Sequence, residues 1–180
     1  MKKALYILAL FLTLWSCQNS KPEKVMDKDI IGIIKDKDTL SLKVKKFVND
    51  FIKKDSNAMV SIFSDNCKFY LGGTDSNSVD KKAFLKAIQF QYKYFSNIKL
   101  DTSSYYVETE YYSKTNNIYS NIWNIWIYDG NFTHKKYTQP GHITLRWENN
   151  KVVRFMDYGD NTPLMEEISH ELSSKKSSKE

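Results

Sequence analysis

Apolar residues in this chain change their spacing once, near Ile98, and that switch constrains the fold more than any other feature. Before it, Leu40, Val44, Phe47, Val48, Phe51 and Ile52 recur every three or four positions, with Lys43, Lys45, Lys46, Lys53 and Lys54 elsewhere around the wheel. That spacing predicts an amphipathic helix. After it, β-branched and aromatic residues alternate with polar ones at a period of two, the pattern of half-buried strands. A chain that writes helices first and long strands afterwards has to pack the helices on one face of a sheet. The fold class is therefore α+β, with a curved antiparallel sheet. Sixteen of the 26 aromatic residues fall between Tyr92 and Tyr158, which assigns most of the core to the third helix and the sheet.

The elements follow from the same rules. A short second helix over 56–63 carries Met59, Ile62 and Phe63 on its stripe, with Asp55 or Ser56 as cap. A strand over 67–71 leads into a Gly-rich loop over 72–77. Ser78 then caps a third helix whose stripe is Phe84, Leu85, Ile88, Tyr92 and Phe95, with Asp80 favourably placed in its first turn. Strands are expected over 98–112, 118–128, 134 or 136 to 147, and 151–158. Turns are expected at 114–117, 129–131 and 149–150.

The first segment is an address. Lys2 and Lys3, an apolar run over 4–15 and Ser16 before Cys17 read as a signal peptide over 1–16. The run falls short of the roughly 20 residues needed to span a bilayer. Leu14-Trp15-Ser16-Cys17 resembles the lipobox of bacterial lipoproteins, which implies a lipidated Cys17 that anchors the chain to a bacterial membrane in the cell envelope. Loss of Lys2 and Lys3 lowers the formal charge from +6 to +4. With Cys17 lipidated, Cys67 has no partner in the chain and reads as a small buried apolar residue. Residues 17–38 form a polar tether around the apolar island 30–34, which is either a short strand on the domain's edge or a local contact. The folded domain is expected over 39–172, and 173–180 as a disordered tail.

Several function classes drop out. His134, His142 and His170 lack ligand spacing, so no metal site is expected. No phosphate loop, nucleophile elbow or Cys-His signature is present, and no cofactor is implied. Lysines are spread over the helices and both ends rather than gathered in a groove, which argues against nucleic acid. Asn131-Phe132-Thr133 fits a glycosylation acceptor by accident of sequence.

The order helix, short helix, strand, long helix, curved sheet resembles the nuclear transport factor 2-like superfamily, which includes SnoaL-like polyketide cyclases and ketosteroid isomerases. The segment Lys151-Val152-Val153-Arg154-Phe155-Met156-Asp157-Tyr158-Gly159-Asp160 is similar to that family's closing strand, with Asn150 in place of the usual Gly. The resemblance covers about 40–160. It implies a cystatin-like α+β cone, with helices on the concave face of a strongly curved antiparallel sheet around a cavity that binds small molecules in some members. It also implies that Phe155 and Asp157 face that cavity.

The register of the last hairpin decides which side chains share a face. A two-residue turn at Asn149-Asn150 pairs Glu148 with Lys151 and sets His142 opposite Asp157, a possible acid-base dyad. A three-residue loop over 148–150 instead groups Ile143, Leu145 and Trp147 with Val153, Phe155 and Asp157, leaving His142, Thr144, Arg146 and Arg154 outside. The second register separates apolar from polar more cleanly and is preferred. Asp157 is then the candidate catalytic residue, its pKa raised by apolar surroundings; the bland alternative is a structurally satisfied carboxylate. Candidate pocket-lining residues are Ile143, Leu145, Trp147, Phe155, Trp123, Trp126 and Tyr92. Trp123 and Trp126 lie three apart and so on opposite faces; whichever is outside gives the convex face an aromatic patch suited to a homodimer. Foremost among the functions is an anchored envelope protein that binds a small, partly apolar ligand or a protein partner without turnover. Next to it stand an isomerase, dehydratase or cyclase using Asp157 as proton shuttle, and a dimerising accessory module.

Overall fold

The computed structural model describes residues 32–72 and 77–177. The expected signal peptide over 1–16 and Cys17, the expected lipidation site, lie outside the described residues. Among those described, no helix is long and apolar enough to cross a membrane.

Three aspartates start three helices. The Asp38 carboxylate accepts the Ser41 amide at 2.8 Å and begins α1 (Thr39–Ile52); Asp55 accepts from Ala58 and begins α2 (Ser56–Val60). Asp80 accepts the Ala83 amide at 2.7 Å and begins α3 (Lys81–Tyr94). Each satisfies an amide that the helix itself leaves unpaired. Asp80 is thus the cap itself rather than a first-turn residue. Ser78 lies instead in the short strand β3 (Ser78–Val79), paired with β2 (Phe63–Leu71). α2 is shorter than expected, and Phe63 belongs to β2.

Around them wraps an eight-stranded sheet, which also contains β1 (Gly32–Lys35), β4 (Phe95–Leu100), β5 (Tyr106–Tyr112), β6 (Asn117–Gly130), β7 (Lys136–Glu148) and β8 (Lys151–Asp157). The order is β1-β5-β6-β7-β8-β2-β3, with β4 beside the far half of β6. The expected strand over 98–112 is two strands. The Asp101 carboxylate draws in the Ser103 amide and the Ser103 and Ser104 hydroxyls, a local turn that interrupts the ladder. Phe95 opens β4 rather than closing the helix stripe. The sheet is also not wholly antiparallel: β2 and β8 run parallel, which their long connection allows.

The ends differ from expectation too. The island at 30–34 is settled as an edge strand for its described part: β1 pairs with β5, so the domain begins before residue 39. At Gly32 a Cβ would sit 2.7 Å from the Tyr111 carbonyl, so only glycine allows that approach. At the other end, α4 (Thr162–Ser177) replaces both the unassigned stretch and the first part of the expected tail. The Asp160 carboxylate fixes its start by accepting the Thr162 amide and hydroxyl.

The closed end of the cone is filled. Phe155 touches the rings of Phe47, Phe63, Phe69 and Phe84, with centroid separations of 5.0–6.2 Å. Removing one such ring from a filled core costs about 3–5 kcal/mol. Beside them runs a buried hydroxyl chain: Ser41 to Thr109 at 2.8 Å, Thr109 to Ser120 at 2.8 Å, and the Trp147 indole donating to Ser120 at 2.9 Å. It fastens α1 to the sheet with every polar group satisfied.

Candidate functional site

Two adjacent asparagines and one extra valine set which way the last strand faces. Asn149 and Asn150 both have positive φ, 46° and 64°, as a two-residue hairpin turn requires. Glu148 pairs with Lys151 and Trp147 with Val152; the register then shifts, and Arg146 pairs with Arg154. Val153 is the extra residue, a β-bulge. Beyond it Leu145 pairs with Phe155 and Ile143 with Asp157. The turn is thus the one drawn in the dyad register, while the faces beyond the bulge are those of the preferred register. The bulge allows Val152 to be fully buried without turning Phe155 outward.

The dyad consequently does not form. His142 lies on the convex face, stacked between Trp123 at 4.7 Å and Tyr158 at 5.3 Å. Burial between those rings lowers its pKa, against the pull of Glu110. Trp123 is 40% exposed and is not part of the lining of the concave-side cavity.

On the concave side lies a cavity of about 120 Å³. One wall comes from α1 and α3, through Phe47, Phe51, Phe84 and Ile88; the facing wall comes from the sheet, through Trp126, Ile143 and Phe155. The rim is polar: Gln91, Gln139, Asp157, Asp160 and Asn161, closed by Leu164 at the start of α4. Of the expected lining, Ile143, Phe155 and Trp126 are in place. Leu145 and Trp147 belong to the filled end, where Trp147 is held by the hydroxyl chain. Tyr92 packs on Phe51 and donates its hydroxyl to the Phe51 carbonyl at 2.8 Å, outside the cavity lining.

Two carboxylates border the cavity, and they behave oppositely. Asp160 is engaged by Thr162, whose hydroxyl and amide hold its pKa down. Asp157 accepts one hydrogen bond, from the Gly159 amide at 2.9 Å. Burial dominates that bond and pushes its pKa up. A Cβ on Gly159 would lie 3.1 Å from Asp157 Oδ1 and 3.6 Å from Gln139 Nε2, so carboxylate and amide flank the same point. Gln139 is itself held by the Tyr128 hydroxyl and the Asp160 carbonyl. Among the described residues, no Lys, Arg or His lines the cavity. Among the described residues, no group of three or more His, Cys, Asp or Glu could hold a metal. Cys67 is buried, and burial pushes its thiol up to about 12, which makes it inert.

Sequence reasoning missed α4 and the two acids that hold it. Glu167 is fully buried and accepts from the Phe132 amide at 2.7 Å, the Thr133 amide and hydroxyl, and the Tyr137 hydroxyl. Glu171 accepts from Lys93 at 2.6 Å, Lys175 at 2.6 Å and Tyr94 at 2.7 Å. The signal was available: Leu164, Glu167, Ile168 and Glu171 follow helical spacing, so both acids fall on the apolar stripe.

No family model matches the sequence, and no curated protein does. Solved structures do. AclR of Streptomyces galilaeus, a candidate hydroxylase, superposes with a TM-score of 0.54 at 16% identity, over 70% of this chain and 92% of its own. A candidate polyketide cyclase of Xanthomonas campestris pv. campestris gives 0.52 at 15% identity, over 73% and 95%. A nuclear transport factor 2-like protein of Burkholderia xenovorans LB400 gives 0.54 at 11%, over 71% and 93%. At these identities the likeness is one of fold: the domain has the cone fold of nuclear transport factor 2-like proteins, as the order of elements and the closing strand implied.

Proposed function

We propose that the cone binds a small, neutral, partly apolar molecule and that Asp157 moves a proton on it, chemistry of the isomerase, dehydratase or cyclase type. The observation that carries this reading is the position of Asp157: a desolvated carboxylate with a raised pKa, bordering an aromatic-walled cavity and held by one backbone amide. A carboxyl poised in this way is suited to general acid-base work, typically worth 10²–10⁴-fold. The neighbours that are candidate cyclases, with one candidate hydroxylase, favour turnover over mere binding. The cavity is close in size to the roughly 150 Å³ that accommodates benzene, so the reacting part is one ring or a short chain.

The test needs no knowledge of the natural substrate. Wild-type protein in D₂O is expected to accelerate α-proton exchange of cyclohexanone, followed by NMR, and Asp157→Asn to lower that acceleration about 100-fold or more while remaining folded. Cyclohexanone that binds without exchanging would assign the cone to binding alone.

The proposal places the domain at a bacterial membrane through lipid on Cys17, supported by the Leu14-Trp15-Ser16-Cys17 pattern; Cys17→Ser should release it to the soluble fraction. A second copy on the convex face is part of the same reading, supported by the exposed Tyr106 and Trp123. Trp123→Lys should then shift the sedimentation coefficient to that of the monomer.

A further inference from the structure

Away from the cone, the convex face of the sheet sets like charges side by side. Arg146 of β7 stands directly opposite Arg154 of β8, and Arg154 stands opposite Lys68 of β2, so one row carries three cations across three adjacent strands. Directly opposed like charges destabilise a sheet, and uncharged residues would pair there without that cost. In the other direction the row continues to Tyr119 of β6 and ends at Glu110 of β5. Glu110 is engaged by Asn121 and Tyr112, and Glu148 meets Arg146 from the hairpin end.

The two arginines line a second cavity, of about 190 Å³, together with Tyr119, Thr144, Met156 and Tyr158. Among the described residues, no carboxylate belongs to that lining. Both guanidinium groups are held in place: Arg154 lies over the Tyr70 ring at 4.9 Å, and Arg146 is paired with Glu148 while its side chain keeps 36% of its exposure. A charge partly withdrawn from water in this way is screened less by salt than a fully exposed one. The planar fork of a guanidinium matches the oxygens of a phosphoryl group, and Tyr119 adds a phenolic donor beside it. Met156 and the Tyr158 ring make the rest of the wall apolar, so the lining suits an organic phosphate better than a bare ion.

We propose that Arg146, Arg154 and Tyr119 form a binding site for a phosphate monoester on the convex face. The phosphoryl oxygens would sit between the two guanidinium groups and replace their mutual repulsion with two attractions, while the organic group rests against Tyr158 and Met156. Lys68, at the end of the row, adds attraction at longer range. The site is separate from the cone: β7 and β8 present Arg146 and Arg154 on one face of the sheet and the buried Leu145 and Phe155 on the other. It therefore stands whether or not the cone takes a ligand.

The experiment titrates phenyl phosphate into the full chain carrying Cys17→Ser, so that no lipid anchor contributes, and follows backbone amides by NMR. The Thr144, Met156 and Tyr158 amides are expected to shift, with binding that weakens as salt rises. Arg154→Met is expected to weaken binding about ten-fold or more, the size of one charged hydrogen bond. Arg146→Met should do the same, and it decides the matter if Arg154→Met does not fold. Lys135→Met, which removes a charge outside the pocket, should leave binding unchanged. Phosphatidylcholine vesicles containing phosphatidic acid identify the source of the group. Vesicle capture that phenyl phosphate competes away places it on a lipid, and phenyl phosphate binding without capture places it on a soluble ester. No shift at the three amides, or an equal loss in Lys135→Met, overturns the site. So does binding that appears only in Trp123→Lys, because a second copy of the chain then fills the pocket.

Discussion

Asp157 and Glu167 are both carboxylates withdrawn from water, yet the protein treats them in opposite ways. Glu167 is surrounded by donors, two backbone amides and two hydroxyls; although burial works against its charge, those bonds hold its pKa below the ordinary range. Asp157 has one amide, and burial wins. Burial alone therefore does not mark a functional acid. What separates a latch from a candidate proton carrier is how many donors meet the carboxylate and whether a void lies next to it.

The sharpest way to break this contrast is to empty the latch. Glu167→Ala would leave the Phe132 and Thr133 amides without their acceptor and loosen α4 from the sheet, at a cost of about 3 kcal/mol in unfolding free energy, measured by urea denaturation. Gly130→Ala attacks the same latch from the other side. A Cβ there would collide with the Glu167 carboxylate, and the expected loss is about 2 kcal/mol by the same measurement.

A smaller effect sharpens the comparison through pH. Glu171 has its pKa lowered to about 2, chiefly by Lys175 and then Lys93 and Tyr94. Its contribution to stability is complete above the unfolded value of about 4.3 and is lost as pH falls toward 2. Asp157 has the reverse sign: its raised pKa adds stability that is present below about 3.9 and disappears as pH rises through the folded value. Melting temperatures between pH 3 and pH 7 should therefore show Asp157→Asn gaining on the wild type as pH rises. Glu171→Gln should lose most at neutral pH and converge with the wild type in acid. The smallest change is expected from Lys135→Ala. It removes the exposed pair with Glu166 and should shift the melting temperature by no more than about one degree.

The hairpin at 148–151 teaches a related lesson about what a sequence can disclose. Asn149-Asn150 announces its own turn, because both residues tolerate positive φ. Counting outward from that turn gives the wrong face for Asp157. The count fails at Val153, where one extra residue slips into the ladder. Neither Val152 nor Val153 advertises a bulge; the choice depends on which of them can fill the space beneath Trp147, a fact of packing across strands. The cavity shows the same division. Phe155 and Ile143 were legible from alternation, which left open whether Trp123 or Trp126 faces inward, whereas Gln139, Gly141 and Gly159 enter it through chain segments whose convergence no local pattern encodes.

The sequence by itself determined the local events: helices where apolar residues recur every three or four positions, strands where they alternate, and a closing strand that turns Phe155 and Asp157 the same way. Those outcomes depend on interactions a few residues apart. The tertiary structure alone decided that His142 faces away from Asp157, that Glu167 and Glu171 bind α4 to the sheet, and that Asn124 is packed unpaired over Gly141. Each depends on groups brought together from distant parts of the chain, where one residue of register or one missing Cβ determines what meets what.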